Sequence, residues 1–208
     1  MQYRLMKSVF AVVLAAGTSS RLGFNKLTVT IDGEPVIVRS VRSFIREDIE
    51  KVFVVTGHDH ERIEGALATV PVTLIYNPDF RKGMSTSVRA AIRFSEGSDA
   101  LLFHLGDKPL VTSESIAAVL KEYRDGTGKI VVPLHEGNKG HPVLIDAGLL
   151  RSEIEMVRGD WGLREVVAKH EQDMVFIKGD DGNLLDLDTV QAIDKLRARG
   201  FRIEESKH

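Results

Sequence analysis

Val9-Phe-Ala-Val-Val-Leu14 is an unbroken apolar run, and the loop Ala15-Ala-Gly-Thr-Ser-Ser-Arg-Leu-Gly-Phe-Asn-Lys26 follows it directly. A valine-rich run without polar alternation is typical of a strand that is buried on both faces. Strands of this kind occur in parallel sheets whose two faces are covered by helices. This stretch alone therefore predicts an α/β protein.

Similar apolar runs recur along the chain, and segments with helical spacing lie between them. The predicted strands lie at residues 51–56, 72–76, 100–105, 129–134, 142–145 and 173–177. The predicted helices lie at residues 35–45, 58–67, 85–94, 112–123, 149–156, 163–170 and 189–199. Strands that alternate with helices indicate right-handed βαβ units. We therefore predict a three-layer α/β/α sandwich with a mostly parallel, Rossmann-like sheet, in a single domain over residues 1–208 with a disordered tail from residue 203.

Composition excludes several classes of function. The formal net charge is -2 at pH 7, whereas a general nucleic-acid binder usually has a basic excess. The chain has no cysteine, so disulfides, thiolate zinc sites and catalytic thiols are excluded. No apolar run approaches the roughly 18 residues that a membrane span needs. We expect a cytoplasmic protein that binds neither nucleic acid nor membrane.

The loop after the first strand has the properties of a polyphosphate-binding site. In open α/β sheets, ligands bind at the carboxyl ends of the strands. Residues 15–17 have almost no side chain, which lets backbone amides approach an anion closely. Serine hydroxyls add donors, and an arginine and a lysine add positive charge. The predicted nucleotide-binding residues of this loop are Leu14, Ala15, Ala16, Gly17, Ser19, Arg21 and Lys26.

Two familiar phosphate motifs do not match this loop. A P-loop requires Gly-x-x-x-x-Gly-Lys-Ser/Thr, but Lys26 lies three residues beyond Gly23 and is followed by Leu27. The dinucleotide motif Gly-x-Gly-x-x-Gly is not supplied by Gly17 and Gly23. The loop therefore belongs to another class of phosphate-binding site.

The pattern Leu14-Ala-Ala-Gly-x-Ser-x-Arg-x-Gly-x-x-Lys26 resembles the signature of the nucleotidyltransferases that activate molybdopterin, and of related cytidylyl- and sugar-nucleotidyltransferases. The resemblance extends from about residue 9 to residue 192. It implies that the loop wraps a nucleoside triphosphate, with Arg21 and Lys26 as catalytic residues on its phosphates. Ala15-Ala16 stands where guanylyltransferases of the family usually have Ala-Gly-Gly or Gly-Gly, which favours CTP over GTP.

Two further motifs concern the nucleotide. Gly106-Asp-Lys-Pro109 follows a predicted strand, and a carboxylate there suits Mg²⁺. It resembles the family's Gly-Asp-x-Pro, which implies that Asp107 is catalytic and binds the metal and the nucleotide; Lys108 departs from the glutamine that the family often has. Gly83-Met-Ser-Thr-Ser-Val88 resembles the family's Gly-Met-Ser-x-Ser motif, which implies that Gly83 and Ser87 lie near the base and ribose. Serines here also suit a helix cap.

Three later stretches complete the resemblance. Gly140-His-Pro-Val143 and Gly159-Asp-Trp-Gly-Leu-Arg164 resemble motifs on the acceptor side. They imply that the molybdopterin-type acceptor is bound by His141, Asp160 and Arg164. Leu185-Asp-Leu-Asp-Thr189 is similar to the family's Asp-x-Asp-Thr, which implies that Asp186 is a second metal ligand, with Asp188 and Thr189 as a helix cap.

The resemblance implies an Mg²⁺-dependent transfer of CMP from CTP to the terminal phosphate of molybdopterin, with release of pyrophosphate. It also implies transient contact with a molybdoenzyme or its chaperone. Alternatives are a GTP-dependent guanylyltransferase, a sugar- or polyol-phosphate nucleotidyltransferase, and a non-catalytic chaperone that binds molybdenum cofactor. Intact Arg21, Lys26 and Asp107 favour the enzyme over the chaperone.

Overall fold

The computed structural model describes residues 7–18, 24–159 and 163–204. The strands are β1 (Val9–Ala15), β2 (Thr30–Ile31), β3 (Glu34–Pro35), β4 (Lys51–Thr56), β5 (Thr73–Tyr76), β6 (Ala100–Leu105), β7 (Ile130–His135), β8 (Asn138–Lys139), β9 (Val143–Asp146), β10 (Met174–Lys178) and β11 (Ile203–Glu204). The α-helices are α1 (Val36–Arg42), α2 (His60–Leu67), α3 (Met84–Arg93), α4 (Ser113–Asp125), α5 (Ala147–Ser152), α6 (Arg164–Lys169) and α7 (Val190–Ala198). Short 3-10 turns lie at Phe80–Lys82, Ile154–Met156, Glu171–Asp173 and Asp181–Asn183.

Among the described residues the main sheet has eight strands, in the order β10-β7-β9-β6-β1-β4-β5, with β8 paired to β7. Strands β6, β1, β4 and β5 are parallel, and so are β10 and β7, whereas β9 runs antiparallel between β6 and β7. Leu14 lies opposite Val55 and Leu105, so the carboxyl ends of the three central strands meet at one edge. The predicted mostly parallel, Rossmann-like sheet is confirmed.

Alternate residues of the central strands point into two separate cores. Val9, Ala11 and Val13 face one core, which α1, α2, α4 and α7 cover with buried aliphatic side chains. Phe10 and Val12 face the other, which α3, α5 and α6 cover. Each fully buried valine, leucine or isoleucine contributes roughly 1.5–3 kcal/mol through the hydrophobic effect. The predicted three-layer α/β/α sandwich is confirmed.

A small antiparallel sheet, in the order β11-β2-β3, was not predicted because its strands have two residues each. The prediction of a disordered tail from residue 203 is wrong for residues 203 and 204, which form the strand β11. Ile203 is buried and pairs with Ile31, and the Asp32 amide donates to the Arg202 carbonyl at 2.8 Å. Residues 205–208 lie outside the described residues. Within the described ranges, no helix is long and apolar enough to cross a membrane.

Candidate active site

The described start of the first loop, residues 15–18, lies at the carboxyl end of β1, which lies between β4 and β6 in the sheet. The Gly106 amide donates to the Leu14 carbonyl at 2.9 Å, and the His58 amide donates to the Ala16 carbonyl at 3.3 Å. Gly106 has little room for a side chain, because a Cβ there would lie 3.2 Å from the Leu14 carbonyl oxygen. Glycine at this position therefore lets the next residue, Asp107, approach the loop.

Lys26 lies at the end of the first loop, and its ammonium group bridges two carboxylates. Its Nζ atom contacts Asp107 Oδ2 and Asp188 Oδ1. The side chains of Lys26 and Asp107 are 14% and 13% exposed, and that of Asp188 is 35% exposed. The Leu187 amide donates to the Asp107 carbonyl at 3.0 Å, which joins the two carboxylate-bearing segments. We call Lys26, Asp107 and Asp188 the carboxylate–lysine cluster.

Two carboxylates face one ammonium group in this cluster. Burial acts to lower the pKa of Lys26, but the adjacent Asp107 and Asp188 carboxylates outweigh it and raise that pKa above its ordinary value. Lys26 is therefore a cation at neutral pH. The two carboxylates of the cluster supply oxygen atoms of the kind that bind divalent cations.

The carboxylate pair has the chemistry of a magnesium site. Asp107 Oδ1 is buried and has no hydrogen-bond partner among the described residues, and such an oxygen is costly to leave unpaired. Mg²⁺ usually takes one or two carboxylates from a protein, with phosphates and water completing its ligands. Within the described ranges, no cluster of three or more metal-ligating side chains occurs. The pair therefore fits a magnesium ion that shares its ligands with a triphosphate.

Asp186, which the motif predicted as the second metal ligand, lies elsewhere. Its Oδ2 atom is 3.6 Å from Nζ of the buried Lys108. Helix α7 is capped by the Thr189 hydroxyl, so Asp188 is not its N-cap. The structure thus places Asp188 with Asp107 on Lys26 and Asp186 beside Lys108, and a metal ligand role of either residue remains a prediction.

The loop residues 14–17 lead from β1 toward this cluster. Ala15 and Ala16 are buried, whereas a Cβ added to Gly17 would meet no atom of the described residues within 4 Å. The loop is therefore open at Gly17, where its backbone can meet a ligand. Ser19 and Arg21 lie outside the described residues, and their phosphate contacts remain a prediction.

The motif predicted to lie near the base and ribose forms the start of α3. Gly83 precedes the helix with a φ of 108°, which favours glycine. Ser87 is buried, and its hydroxyl accepts a hydrogen bond from the Asn77 side chain at 2.9 Å. Phe80 packs against the end of β4 so closely that a Cβ on Gly57 would lie 2.6 Å from it. A contact of Gly83 or Ser87 with the nucleotide remains a prediction.

A cavity of about 510 Å³ lies beside the cluster. Leu14 and Leu105 line it, and they directly precede the first loop and the Gly106-Asp107 turn. Lys139, His141 and Arg164 give it polar groups, which brings two of the predicted acceptor residues together. The remaining lining is mostly apolar: Met84, Val88, Phe103, Val132, Val143, Leu163, Val167 and Ala168, with the backbone of Gly140. The third predicted acceptor residue, Asp160, lies outside the described residues.

His141 is fixed in the cavity wall. Its carbonyl accepts from the Asn183 side chain at 2.7 Å, and its amide donates to the Asn183 carbonyl at 3.0 Å. Burial, aided by the positive charge of Lys108, lowers the pKa of His141 to about 4. The ring is therefore neutral at pH 7. Its Nδ1 atom lies 3.5 Å from the Phe103 carbonyl, so the ring presents a neutral polar group to a ligand.

Sequence reasoning missed two fully buried polar residues at this site, His104 and Asn183. His104 Nε2 donates to the Lys108 carbonyl at 2.9 Å, which supports the turn that contains Asp107. Burial, with a smaller effect of His141, lowers the pKa of His104 to about 3, so this ring is neutral too. The available signals were a histidine within an apolar strand and an asparagine within a glycine-containing turn.

Several known proteins resemble this chain. It is 28% identical over 151 residues to the molybdenum cofactor cytidylyltransferase of Escherichia coli K12, covering 72% of the chain and 76% of that protein. It is 25% identical over 197 residues to the nicotine blue oxidoreductase of Paenarthrobacter nicotinovorans, covering 90% and 96%. A solved nucleotidyl transferase of Methanothermobacter matches with a TM-score of 0.76 and 23% identity, covering 92% and 97%. A manganese complex of Rv0371C from Mycobacterium tuberculosis matches with a TM-score of 0.72 and 19% identity, covering 91% and 98%.

The two structural matches show the fold, and the family is shown by sequence. The sequence model of the MobA-like NTP transferase domain matches residues 11–174. This range contains the first loop, Asp107 and the residues that line the cavity. The family resemblance of the motifs is confirmed, and the chain belongs to the MobA-like NTP transferase family of nucleotidyltransferases.

Proposed function

We propose that the chain transfers CMP from CTP to the terminal phosphate of a molybdopterin-type acceptor and releases pyrophosphate. The observation that carries this proposal is the position of the cavity, since its walls Leu14 and Leu105 directly precede the phosphate loop and the Asp107 turn. A nucleotide on the loop and an acceptor in the cavity would bring their phosphates together at the carboxylate–lysine cluster. Such positioning can supply much of a rate enhancement.

The lining of the cavity favours an acceptor with a flat ring, whose faces can lie against apolar side chains. A sugar or polyol has a hydroxyl on nearly every carbon, and hydroxyls that face Phe103, Val132 or Val143 would be left without hydrogen bonds. Each such unpaired group costs roughly 1–3 kcal/mol. A pterin ring has all its polar atoms at its edge, so its faces can lie against aliphatic and aromatic side chains while the edge meets the polar groups of the cavity and solvent. This argument favours a molybdopterin-type acceptor over sugar and polyol phosphates.

In the proposed reaction an oxygen of the acceptor phosphate attacks the α-phosphorus of CTP. The bond from that phosphorus to the bridging oxygen of the β-phosphate breaks, and pyrophosphate leaves with the electron pair. A phosphate nucleophile is already anionic at neutral pH, so the chain needs no general base. Arg164 suits a bidentate contact with the acceptor phosphate, and Lys26 offsets negative charge on the triphosphate.

Asp107 and Asp188 would hold Mg²⁺, which when bound neutralises charge on the triphosphate oxygens. This assignment is supported by the buried Asp107 Oδ1 atom, which has no hydrogen-bond partner among the described residues, and by the second carboxylate beside it. Arg21 would add a second positive charge at the phosphates. The product would then pass to a molybdoenzyme or its chaperone through a transient contact.

CTP is the proposed donor for two reasons. The first loop has Ala15-Ala16 where guanylyltransferases usually have glycine, and the Escherichia coli relative is named a cytidylyltransferase. The two cases differ in nucleobase only, so the chemistry at the phosphates is the same for either donor. A binding measurement separates them.

The first test is calorimetric binding of CTP, GTP, ATP and UTP, each with Mg²⁺, to the wild type and to Asp107→Ala. We expect CTP to bind most tightly and its affinity to fall in the variant, whose fold is checked by thermal unfolding. A preference for GTP would replace the cytidylyltransferase proposal with a guanylyltransferase. Absence of binding to all four triphosphates, with and without the acceptor, would refute the proposed reaction.

The second test is product formation from CTP and molybdopterin, with a sugar phosphate as the matched acceptor. CMP transfer to molybdopterin alone is the expected result. Transfer to the sugar phosphate at a similar rate would contradict the assignment of the apolar cavity to a flat acceptor. Acceptor binding without pyrophosphate release would favour the non-catalytic chaperone.

A further inference from the structure

The Lys26 ammonium group occupies the space between the two carboxylates that would bind a metal ion. Its ammonium group contacts Asp107 Oδ2 and Asp188 Oδ1 together. A divalent cation bound between the two carboxylates, including at Asp107 Oδ1, would lie next to this ammonium group. Two cations at such short range repel each other strongly in a partly desolvated site. Occupation of the carboxylate pair by Lys26 and by a metal ion is therefore mutually exclusive.

The backbone next to the two carboxylates is anchored by hydrogen bonds. The Gly106 amide donates to the end of β1 at 2.9 Å, and the Ser40 hydroxyl donates to the Gly106 carbonyl at 2.7 Å. On the other side, the Leu187 amide donates to the Asp107 carbonyl at 3.0 Å. These bonds hold Asp107 and the segment that leads into Asp188. The longest and most flexible side chain of the cluster is that of Lys26.

The Lys26 side chain can turn while its backbone stays in place. The neighbouring Asn25 is buried, accepts from the Leu27 amide at 3.0 Å and donates to the Asp59 carboxylate at 3.1 Å. A lysine side chain is a flexible stem with a compact charge at its end. Because Lys26 belongs to the proposed phosphate loop, rotation of its side chain can bring the ammonium group from the carboxylates to a phosphate.

We propose that Lys26 is the resident counter-ion of the Asp107–Asp188 pair and admits a divalent metal ion only when a triphosphate offers the ammonium group another anionic partner. Metal ion and triphosphate then bind as a coupled pair, and the protein alone binds the metal weakly. The cluster is never left with two uncompensated, partly buried carboxylates, which would be costly. This inference rests on the metal assignment in the proposed function and is independent of the acceptor and the nucleobase.

The test is Mn²⁺ binding to the nucleotide-free protein, followed through the EPR signal of the free ion. Mn²⁺ binds to carboxylate and other oxygen ligands as Mg²⁺ does. The variants are Lys26→Gln and, as a matched control, Lys139→Gln. Lys139 is an exposed cation of the adjacent cavity whose ammonium group lies over the Phe176 ring, 5.5 Å from its centroid. Its removal changes the net charge equally without vacating the carboxylate pair.

Lys26→Gln should bind Mn²⁺ roughly tenfold or more tightly than the wild type, since close charge pairs are coupled at least this strongly. Lys139→Gln should stay within about threefold of the wild type, as expected for a screened charge at the surface. Adding Asp107→Asn to Lys26→Gln should remove the gain. Equal affinity of the wild type and Lys26→Gln, or an equal gain in the control, overturns the inference while the proposed reaction stands. A gain that survives Asp107→Asn overturns the metal assignment on which both rest.

Discussion

Replacement of Asn183 by alanine tests how the wall of the acceptor cavity is held. The side chain is fully buried and makes hydrogen bonds to three parts of the chain. It donates to the His141 carbonyl and to the Ser115 hydroxyl, each at 2.7 Å, and accepts from the Asp180 amide at 2.8 Å. Alanine removes all three bonds and leaves a small cavity.

The expected loss follows from the partners that remain. The Ser115 hydroxyl can rotate toward another acceptor, but the His141 carbonyl and the Asp180 amide are backbone groups and cannot. A buried polar group without a partner costs about 1–3 kcal/mol, so loss of the partner of these two groups should lower the free energy of unfolding by about 2–6 kcal/mol. Domains usually have about 5–15 kcal/mol of stability, so the variant should still fold at 25 °C.

Urea unfolding followed by far-ultraviolet circular dichroism measures this loss. The control is Asn138→Ala, which removes an exposed asparagine that donates to the Glu136 carbonyl at 3.1 Å and should change stability by no more than about 0.5 kcal/mol. In the folded Asn183→Ala variant, the KM for the acceptor should rise while the affinity for CTP with Mg²⁺ stays unchanged. A loss below about 1 kcal/mol would refute the energetic reasoning, and an unchanged acceptor KM would refute the link to the cavity.

Three further predictions concern the loop, the metal ligands and pH. Gly57→Ala places a Cβ 2.6 Å from Phe80 Cβ and should lower the free energy of unfolding by about 1–3 kcal/mol. In the control Gly65→Ala, the new Cβ in helix α2 meets no described atom within 4 Å and should raise that free energy by about 0.5–1 kcal/mol. Urea unfolding measures both changes. Asp188→Asn should lower the affinity for CTP with Mg²⁺, measured by calorimetry, by roughly tenfold or more, and Asp186→Asn should leave it nearly unchanged. A larger loss in Asp186→Asn than in Asp188→Asn would instead support Asp186 as the second metal ligand. Folding lowers the pKa of His141 from 6.5 to about 4, so between these pH values the unfolded chain takes up a proton that the folded chain excludes. The free energy of unfolding should therefore fall as pH decreases from about 6.5 to about 4. His141→Gln should reduce that slope without abolishing it, because His104 also excludes a proton over this pH range, and an unchanged slope would contradict the neutral state of the His141 ring.

The central sheet could be predicted because its strands are long apolar runs. Strands β1, β4 and β6 have six or seven residues each, which is enough to distinguish them from the helical segments between them. The direction of β9 could not be predicted, because an apolar run looks the same in a parallel and an antiparallel strand. The two-residue strand β11 forms only because Ile203 reaches a buried position beside Ile31, a contact between distant parts of the chain.

The sequence predicts which strand ends form the site, but not every side chain that lies there. Lys26 and Asp107 each follow a strand at the same sheet edge, so their proximity follows from topology. The choice between Asp186 and Asp188 did not follow, because both belong to one Asp-x-Asp motif. That choice depends on the buried Lys108 ammonium group, which lies beside Asp186.

Asn183 was missed for a related reason. It ends an Asp-Gly-Asn sequence, whose composition is typical of an exposed turn. Its burial depends on a close approach that local sequence does not reveal, since a Cβ on Gly140 would lie 2.8 Å from Asn183 Cβ. Tertiary packing therefore converts a turn residue into an internal support of the site.

The segment from Asn183 to Asp188 explains why the acceptor cavity and the metal carboxylates belong to one site. At its start, Asn183 holds the cavity wall through His141, and at its end Asp188 contacts Lys26. Between them, the Leu187 amide is bonded to the Asp107 carbonyl. One short, anchored segment thus keeps the cavity and the carboxylate pair at a constant separation. In the proposed reaction, phosphoryl transfer depends mainly on positioning, so we expect this separation to contribute to catalysis.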